Sequence, residues 1–400
     1  MVADVGRLVR CESPSQDTEA VARSAEVVAR MGAGYLGTEP ERIVIDGCTH
    51  LRWRFGRSPR VLLLGHHDTV WPLGSIERLP FRAEGGVMRG PGCFDMKAGL
   101  VVAFHALAAL SAQGGSDRLD GVTLLITGDE EPGSTTSREL IEQEARGCAA
   151  ALVLEAAGPG GTLKTERKGV SRYQVRVRGR AAHAGLEPES GVNATVEAAH
   201  QVLAVTALGD RDRGTTVTPT RLESGTTSNT VAAEACFEVD VRVRDADEQQ
   251  RVDRALRMLT TRLDGARVEV AGGPDRPPLP PAASHRLFAR AQRLAAELGL
   301  EPLSGMAVGG ASDGNLTAAV GTPTLDGLGA VGGGAHAEDE HVLVAELPRR
   351  TRLLTALLSE LLTEGLAPAA SRARERTRGA HPVPADDHSA GRGGNHDGRD

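Results

Sequence analysis

LLLGHHDTVWP, residues 62 to 72, carries a run of aliphatic residues straight into two histidines and an aspartate, and that junction decides the fold. Residues 61–64 read as a short strand buried on both faces, because the apolar run is continuous rather than alternating. Two more such runs follow at 122–127 (VTLLIT) and 150–154 (AALVL), and the Ala/Leu/Val-rich stretch 98–110 has the length of a helix. Strands alternating with helices imply βαβ units. The expected fold class is α/β, a mostly parallel sheet flanked by helices.

The pattern changes after residue 168. YQVRVR (173–178) and FEVDVRV (237–243) alternate strictly, as strands with one face in water do. Strand 170–178, helix 192–207, strands 216–223 and 235–243, helix 247–263 and strand 266–271 give the order βαββαβ, a ferredoxin-like α+β arrangement. PDRPPLPPAAS (274–284) is expected to end it, since proline continues neither a strand ladder nor a helix interior. Helices at 284–298, around 316–320 and at 347–362, with a strand at 323–325, then resume the α/β style. The expected organisation is a discontinuous domain of residues 1–167 and 277–366, an inserted domain of residues 168–276, and a tail of residues 367–400. That tail has no Leu, Ile or aromatic residue, so it reads as disordered.

Composition narrows the function. The 46 basic and 53 acidic residues give a net charge of −7, which argues against a general nucleic-acid binder. With 2 Trp, 2 Tyr and 6 Phe, there is little from which to build base-stacking platforms. The first residues lack a signal-type apolar region and no run of apolar residues reaches membrane-spanning length, so a soluble, cytoplasmic protein without a membrane partner is expected. Cys11, Cys48, Cys93, Cys148 and Cys236 are scattered, with no CxxC spacing, and read as reduced thiols.

Five segments carry residue types suited to metal chemistry. In HHD, residues two apart on extended chain share a face, so His66 and Asp68 can converge, an imidazole ligand with a carboxylate to orient it; a surface loop is the alternative. In GPGCFDMKAG (90–99), Asp95 stands where a carboxylate can bridge two cations or cap the following helix. In TGDEEPGS (127–134), three adjacent acids at the end of a buried strand need cations or solvent to offset their repulsion. Glu130 and Glu131 would then point to opposite sides. ALVLE (151–155) ends in Glu155, and GGGAHAEDE (332–340) offers His336 in a glycine-rich loop. His66, Glu130, Glu131 and Glu155 all fall at the C-terminal ends of strands of one sheet, the edge at which open α/β sheets bind ligands.

This succession of motifs resembles the dinuclear zinc peptidases and deacylases that include glutamate carboxypeptidase, acetylornithine deacetylase, succinyl-diaminopimelate desuccinylase and aminoacylase. The likeness covers roughly residues 5–365 and, through GPG before Asp95, is nearest the glutamate carboxypeptidase branch. The resemblance implies two zinc ions (cobalt or manganese also suit such ligands), one held by His66, Asp95 and Glu155 and the other by Asp95, Glu131 and His336. It further implies a cis peptide after Asp95, Asp68 orienting His66, and Glu130 as general base toward a water shared by the two ions. GRAAHAGLEPESGVNA (179–194) and SGTTSNTVAAEA (224–235) resemble segments whose histidine and asparagine reach the reaction centre, which implies His183, acting across a homodimer interface of the inserted domain, and Asn229. Arg276 matches an arginine that grips a substrate carboxylate. GGASDG (309–314) resembles a substrate loop, with Ser312 and Asp313 as its polar residues. Closure of the inserted domain, hinged near residues 167 and 276, is implied as well.

The expected reaction is hydrolysis of an amide next to a free carboxylate in a small peptide or N-acyl amino acid. A glutamate-type carboxypeptidase is the first reading and an N-acyl-amino-acid deacylase the second. An inactive metal-binding scaffold would be expected to have lost a ligand or the base, and none is missing. GLGAVG (327–332) fits a dinucleotide-binding spacing but is followed by no helix, so that reading fails. His381, His388 and His396 read as solvated tail residues.

Overall fold

The computed structural model describes residues 1–364; the expectations for residues 367–400, including the tail histidines, lie outside them. Its largest sheet has six strands in the order Glu41–Ile45, Cys48–Arg54, Val122–Thr127, Val61–His66, Ala150–Val153 and Thr324–Leu325. The last four run parallel to one another, as the βαβ reading requires. Every residue of Val61–His66, Val122–Thr127 and Ala150–Val153 is buried, which explains their unbroken apolar runs. One face packs Leu62, Leu64, Leu125 and Ala151 against Leu140, Ile141 and Leu316 from helices Arg138–Ala145 and Asp313–Ala319.

Helix Ala98–Ala112 packs against helices Thr18–Leu36 and Glu346–Glu364 and against the strand Val61–His66. With the turn before it, Cys93–Ala112 has the length and mean hydropathy of a membrane span, but it contains Asp95 and Lys97 and 78% of that window is buried within the protein. The helix itself is apolar all round because protein surrounds it. A Cβ at Gly99 would lie 2.2 Å from the Leu154 carbonyl oxygen, so glycine there lets this helix approach the strand end that leads to Glu155.

The second sheet has four strands, ordered Thr216–Ser224, Glu234–Val243, Gly169–Arg178 and Arg267–Arg276, all antiparallel. With helices Ala194–Thr206 and Ala246–Arg257 it realises the expected βαββαβ order. Tyr173, Val175, Phe237, Val239 and Val241 meet Val205, Val252 and Leu256 in its core.

Three boundaries differ from the expectation. The last strand continues to Arg276 through Pro274, because it is an edge strand whose register shifts between Pro274 and Arg276. The next helix begins at Pro281 rather than Ser284, since proline suits a first helical turn. Helix Ala246–Arg257 stops short of 263, and Arg262 and Leu263 instead donate their backbone N–H groups to the buried Glu197 carboxylate. The hairpin of residues 41–54 was not anticipated. Its turn is Asp46–Gly47, both at positive φ, the pairing that two-residue hairpins favour.

Candidate active site

Three neighbouring parallel strands deliver their C-terminal ends to one place. His66 is the last residue of its strand, Glu130 and Glu131 lie just beyond Thr127, and Glu155 lies just beyond Val153. Asp95 reaches them from the turn before helix Ala98–Ala112, and its peptide to Met96 is cis, as the resemblance implied. His336 comes from the loop between Gly332–Gly333 and His341–Leu343, a short ribbon that pairs with strand Val87–Arg89 and so brings this loop beside the Asp95 turn.

The side chains form two groups that share Asp95. His66 Nε2 is 3.4 Å from Asp95 Oδ1 and 3.4 Å from Glu155 Oε1. His336 Nε2 is 3.4 Å from Asp95 Oδ2 and 3.2 Å from Glu131 Oε2. Ligand bonds of about 2.0–2.1 Å to a tetrahedral zinc ion put neighbouring donors about 3.4 Å apart. His66 Nε2 and Glu131 Oε1 are also buried without a hydrogen-bond partner, a costly state for polar atoms unless something else satisfies them. The donor set and these orphaned atoms fit a pair of divalent cations held by the residues the sequence singled out.

Asp68 sits beneath this cluster. Its Oδ1 is 3.3 Å from His66 Nδ1, and its two oxygens accept the backbone N–H groups of Glu130 and Glu131. It thereby fixes one histidine and both glutamates. Asp129, the third acid of the DEE run, turns away and accepts hydrogen bonds from Thr136 and Ser137. With His50 and Cys48 it makes another group of metal-ligating residue types. His50 Nδ1 accepts from Gly128 N–H and its Nε2 faces the Thr136 hydroxyl, so this group is a hydrogen-bonded support under the Glu130 turn.

Sequence reasoning missed several supports. Glu340, buried, accepts N–H groups from Gly92, Phe94 and Asp95 and from the Trp71 indole, and so ties the Asp95 turn to the His336 loop. Lys164 Nζ is 3.7 Å and Arg167 Nη2 is 3.4 Å from Glu155 Oε2, while Arg167 also pairs with Asp326. Lysine occurs only at positions 97, 164 and 168, and nothing in the local sequence marks Lys164 as a partner of Glu155. Ser312 caps helix Asp313–Ala319 and donates to Asp326, a structural placement, and Asp313 faces Arg276. Cys93 is fully buried, in keeping with a small apolar role.

Arg276 lies against Asp313, Ser134 and Glu130. His183 and Asn229 sit on adjoining segments, where Asn229 O accepts Ala184 N–H and His183 pairs with Thr230. His183 is exposed, and its Nδ1 accepts the N–H groups of Gly185 and Leu186, which leaves the ring proton on Nε2. Among the described residues no contact joins His183 to the His66–Asp95–His336 cluster.

Charge explains the titration behaviour. Burial pulls the His66 imidazole down, and the carboxylates of Asp68, Asp95 and Glu155 overcome it, holding its pKa well above the usual value. Asp95 and Glu131 raise His336 to about 10. Burial opposes ionisation of Asp95, but His336 and His66 hold it below the usual carboxylate range. Burial raises Glu130 well above the ordinary carboxylate value, against the pull of Arg276.

The sequence pattern of peptidase family M20/M25/M40 matches residues 62–360. Carboxypeptidase G2 from Pseudomonas sp. (strain RS-16) is 30% identical over 379 residues, covering 90% of this chain and 89% of the relative. Succinyl-diaminopimelate desuccinylase from Thioalkalivibrio sulfidiphilus is 29% identical over 351 residues, covering 82% and 91%. The crystal structure of aminopeptidase PepT from Bacillus cereus superposes with a TM-score of 0.71 at 23% identity, covering 90% of this chain and 97% of that one.

The electrostatics set the sign of a metal-binding experiment. Without cations the surrounding carboxylates raise His336 to about 10, so it carries a proton at neutral pH, and they push His66 in the same direction, so zinc binding competes with protons. Zinc affinity is expected to rise with pH up to about 10. Calorimetric titration in buffers of different ionisation heat should show about one proton or more released per chain; a pH-independent affinity with no release would contradict this.

Proposed function

The chain belongs to peptidase family M20/M25/M40 and is a metal-dependent peptidase or amidohydrolase; from that premise we propose that it cleaves an amide bond adjacent to a free carboxylate, as a glutamate-type carboxypeptidase. The observation that carries the reading is the placement of Asp95 between His66 and His336, with Glu155 and Glu131 completing two ligand groups and Glu130 beside them. Similarity to carboxypeptidase G2 along 90% of the chain supports carboxypeptidase action, and the glutamate preference rests on the resemblance carried by GPG before Asp95. Similarity to desuccinylases supports removal of an N-acyl group from an amino acid as the second reading, since the same groups serve both reactions.

In this proposal His66, Asp95 and Glu155 hold one zinc ion and Asp95, Glu131 and His336 the other. The ions, when bound, polarise the scissile carbonyl and make the attacking water more acidic. Glu130 accepts the water proton on its carboxylate and returns it to the leaving amine nitrogen. Burial raises its affinity for a proton, which suits a group that must hold one between the two steps. Asp68 keeps the His66 ring oriented by its contact with Nδ1 and holds the backbone of Glu130 in place.

His183 completes the site from a second copy of the chain, with Asn229 beside it. Its exposure and its separation from the metal-ligand cluster within one chain support that role. If so, His183→Ala and Glu130→Gln, each inactive alone, regain activity when mixed and allowed to exchange subunits; no recovery would place His183 outside the reaction.

The reaction itself is tested on zinc-loaded protein with an N-blocked dipeptide ending in glutamate and with an N-acetyl amino acid. Preference for the dipeptide is expected, and preference for the N-acetyl compound would favour the deacylase. Glu130→Gln should lower kcat by about a hundredfold or more while zinc content stays unchanged. Activity near wild type in that variant would remove Glu130 from the mechanism.

A further inference from the structure

The glycine-rich run GLGAVG (327–332) has no part in the proposed hydrolysis, yet it shelters a buried cation. Arg350, only 4% exposed, donates from Nε to the Gly329 carbonyl oxygen at 3.1 Å and from Nη2 to the Gly327 carbonyl oxygen at 2.6 Å. Both acceptors are neutral. Among the described residues the guanidinium has no ion pair, and Nη1 makes no hydrogen bond. Burial pulls its pKa down to about 10, against the pull of Glu346. A buried charge without a counter-charge is costly, and an anion beside it would offset that cost.

Arg350 borders a cavity of about 170 Å³, formed between the start of helix Glu346–Glu364, residues 300–304 and the turn at 160–161. Leu303, Val331, Leu343 and Leu353 give it apolar walls. Glu346 also borders it but is paired with Arg349 at 2.6 Å, whereas Glu301, exposed on the rim, has no ion pair among the described residues. None of the residues assigned to the metal ions, the base or the substrate belongs to this cavity.

We propose that this cavity is a binding site for a free aliphatic α-amino acid of leucine size, with its carboxylate on Arg350 Nη1, its ammonium toward Glu301 and its side chain among the leucines. A cavity of about 150 Å³ holds a benzene-sized body, which sets the scale of the occupant. A planar carboxylate suits the open edge of a guanidinium. Phosphate or a dicarboxylate would bring further negative charge against Glu301 or the apolar walls, so the charge pattern favours a zwitterion with an aliphatic side chain. The site is independent of the hydrolase reading, and its occupant differs from the glutamate-type substrate of the cleft.

The loop that holds Arg350 also touches the frame of the cleft. Gly329 N–H donates to the Glu155 carbonyl oxygen at 2.9 Å, and a Cβ at Gly329 would lie 2.1 Å from the Leu154 carbonyl oxygen. A ligand on Arg350 is thus one loop away from a metal-ligating residue, in the place of an effector and not of a substrate.

The test is isothermal titration of the full, zinc-loaded chain with L-leucine, with L-leucinamide, which lacks the carboxylate, and with 4-methylpentanoate, which lacks the ammonium. One leucine per chain is expected, with each analogue weaker by about tenfold or more. Arg350→Met and Leu343→Trp, the latter filling the cavity from its partly exposed wall, should each weaken leucine binding by about tenfold or more. Arg350→Lys should fall between. Arg350→Met removes the donors to Gly327 and Gly329, so circular dichroism checks its fold, and Leu343→Trp, which leaves those hydrogen bonds in place, decides the matter if that variant unfolds. L-glutamate should not displace leucine. No binding of leucine at millimolar concentration, binding unchanged by Leu343→Trp, or displacement by L-glutamate, which would put leucine in the cleft as a product, would each overturn the proposal.

Discussion

Asp95 presents one oxygen to His66 and the other to His336, and the site is organised around that shared carboxylate. Asp95, Glu130, Glu131 and Glu155 are acids gathered in one cleft that is largely out of water, and like charges so placed repel unless positive charge stands among them. The two imidazoles supply some of it as protons, which is why His66 and His336 are pushed upward. Lys164, Arg167 and Arg276 supply more from the periphery. Two divalent cations would take the place of the histidine protons at the centre.

The scaffold serves this constraint in two ways. Parallel strands end side by side, so His66, the Glu130 turn and Glu155 arrive together without long loops. Residues from the more irregular segments are then tied down by buried carboxylates. Asp68 holds the DEE turn from below, and Glu340 holds the Asp95 turn against the His336 loop. Each of these acids accepts backbone N–H groups, so each spends its charge on fixing main chain.

Much of this was legible in the sequence because it is written locally. Continuous apolar runs ending in HHD, DEE and LE mark both the strands and their ligand-bearing ends, and strict alternation at 173–178 and 237–243 marks the second sheet. The hairpin of residues 41–54 escaped because its pattern is mixed: Val44 is exposed, whereas Thr49 and His50 are buried. Proline in the last strand misled for a related reason, since whether a strand lies at an edge is a property of the sheet and not of its own residues. Glu340, Asp313 and Ser134 were illegible as partners because their contacts join positions far apart in the chain. Spacing along the sequence has no record of such meetings. Asp129 shows the converse limit: three adjacent acids look equivalent, and only hydrogen bonds to Thr136 and Ser137 separate the support from the cleft-facing pair.

The central claim is that this cleft is built for two divalent cations sharing Asp95. Diffraction from crystals of the zinc-loaded protein, recorded on both sides of the zinc absorption edge, tests it most directly. The account predicts two anomalous peaks per chain flanking the Asp95 carboxylate, one beside His66 and Glu155 and one beside His336 and Glu131. A single peak, or zinc bound instead by Cys48, His50 and Asp129, would contradict it.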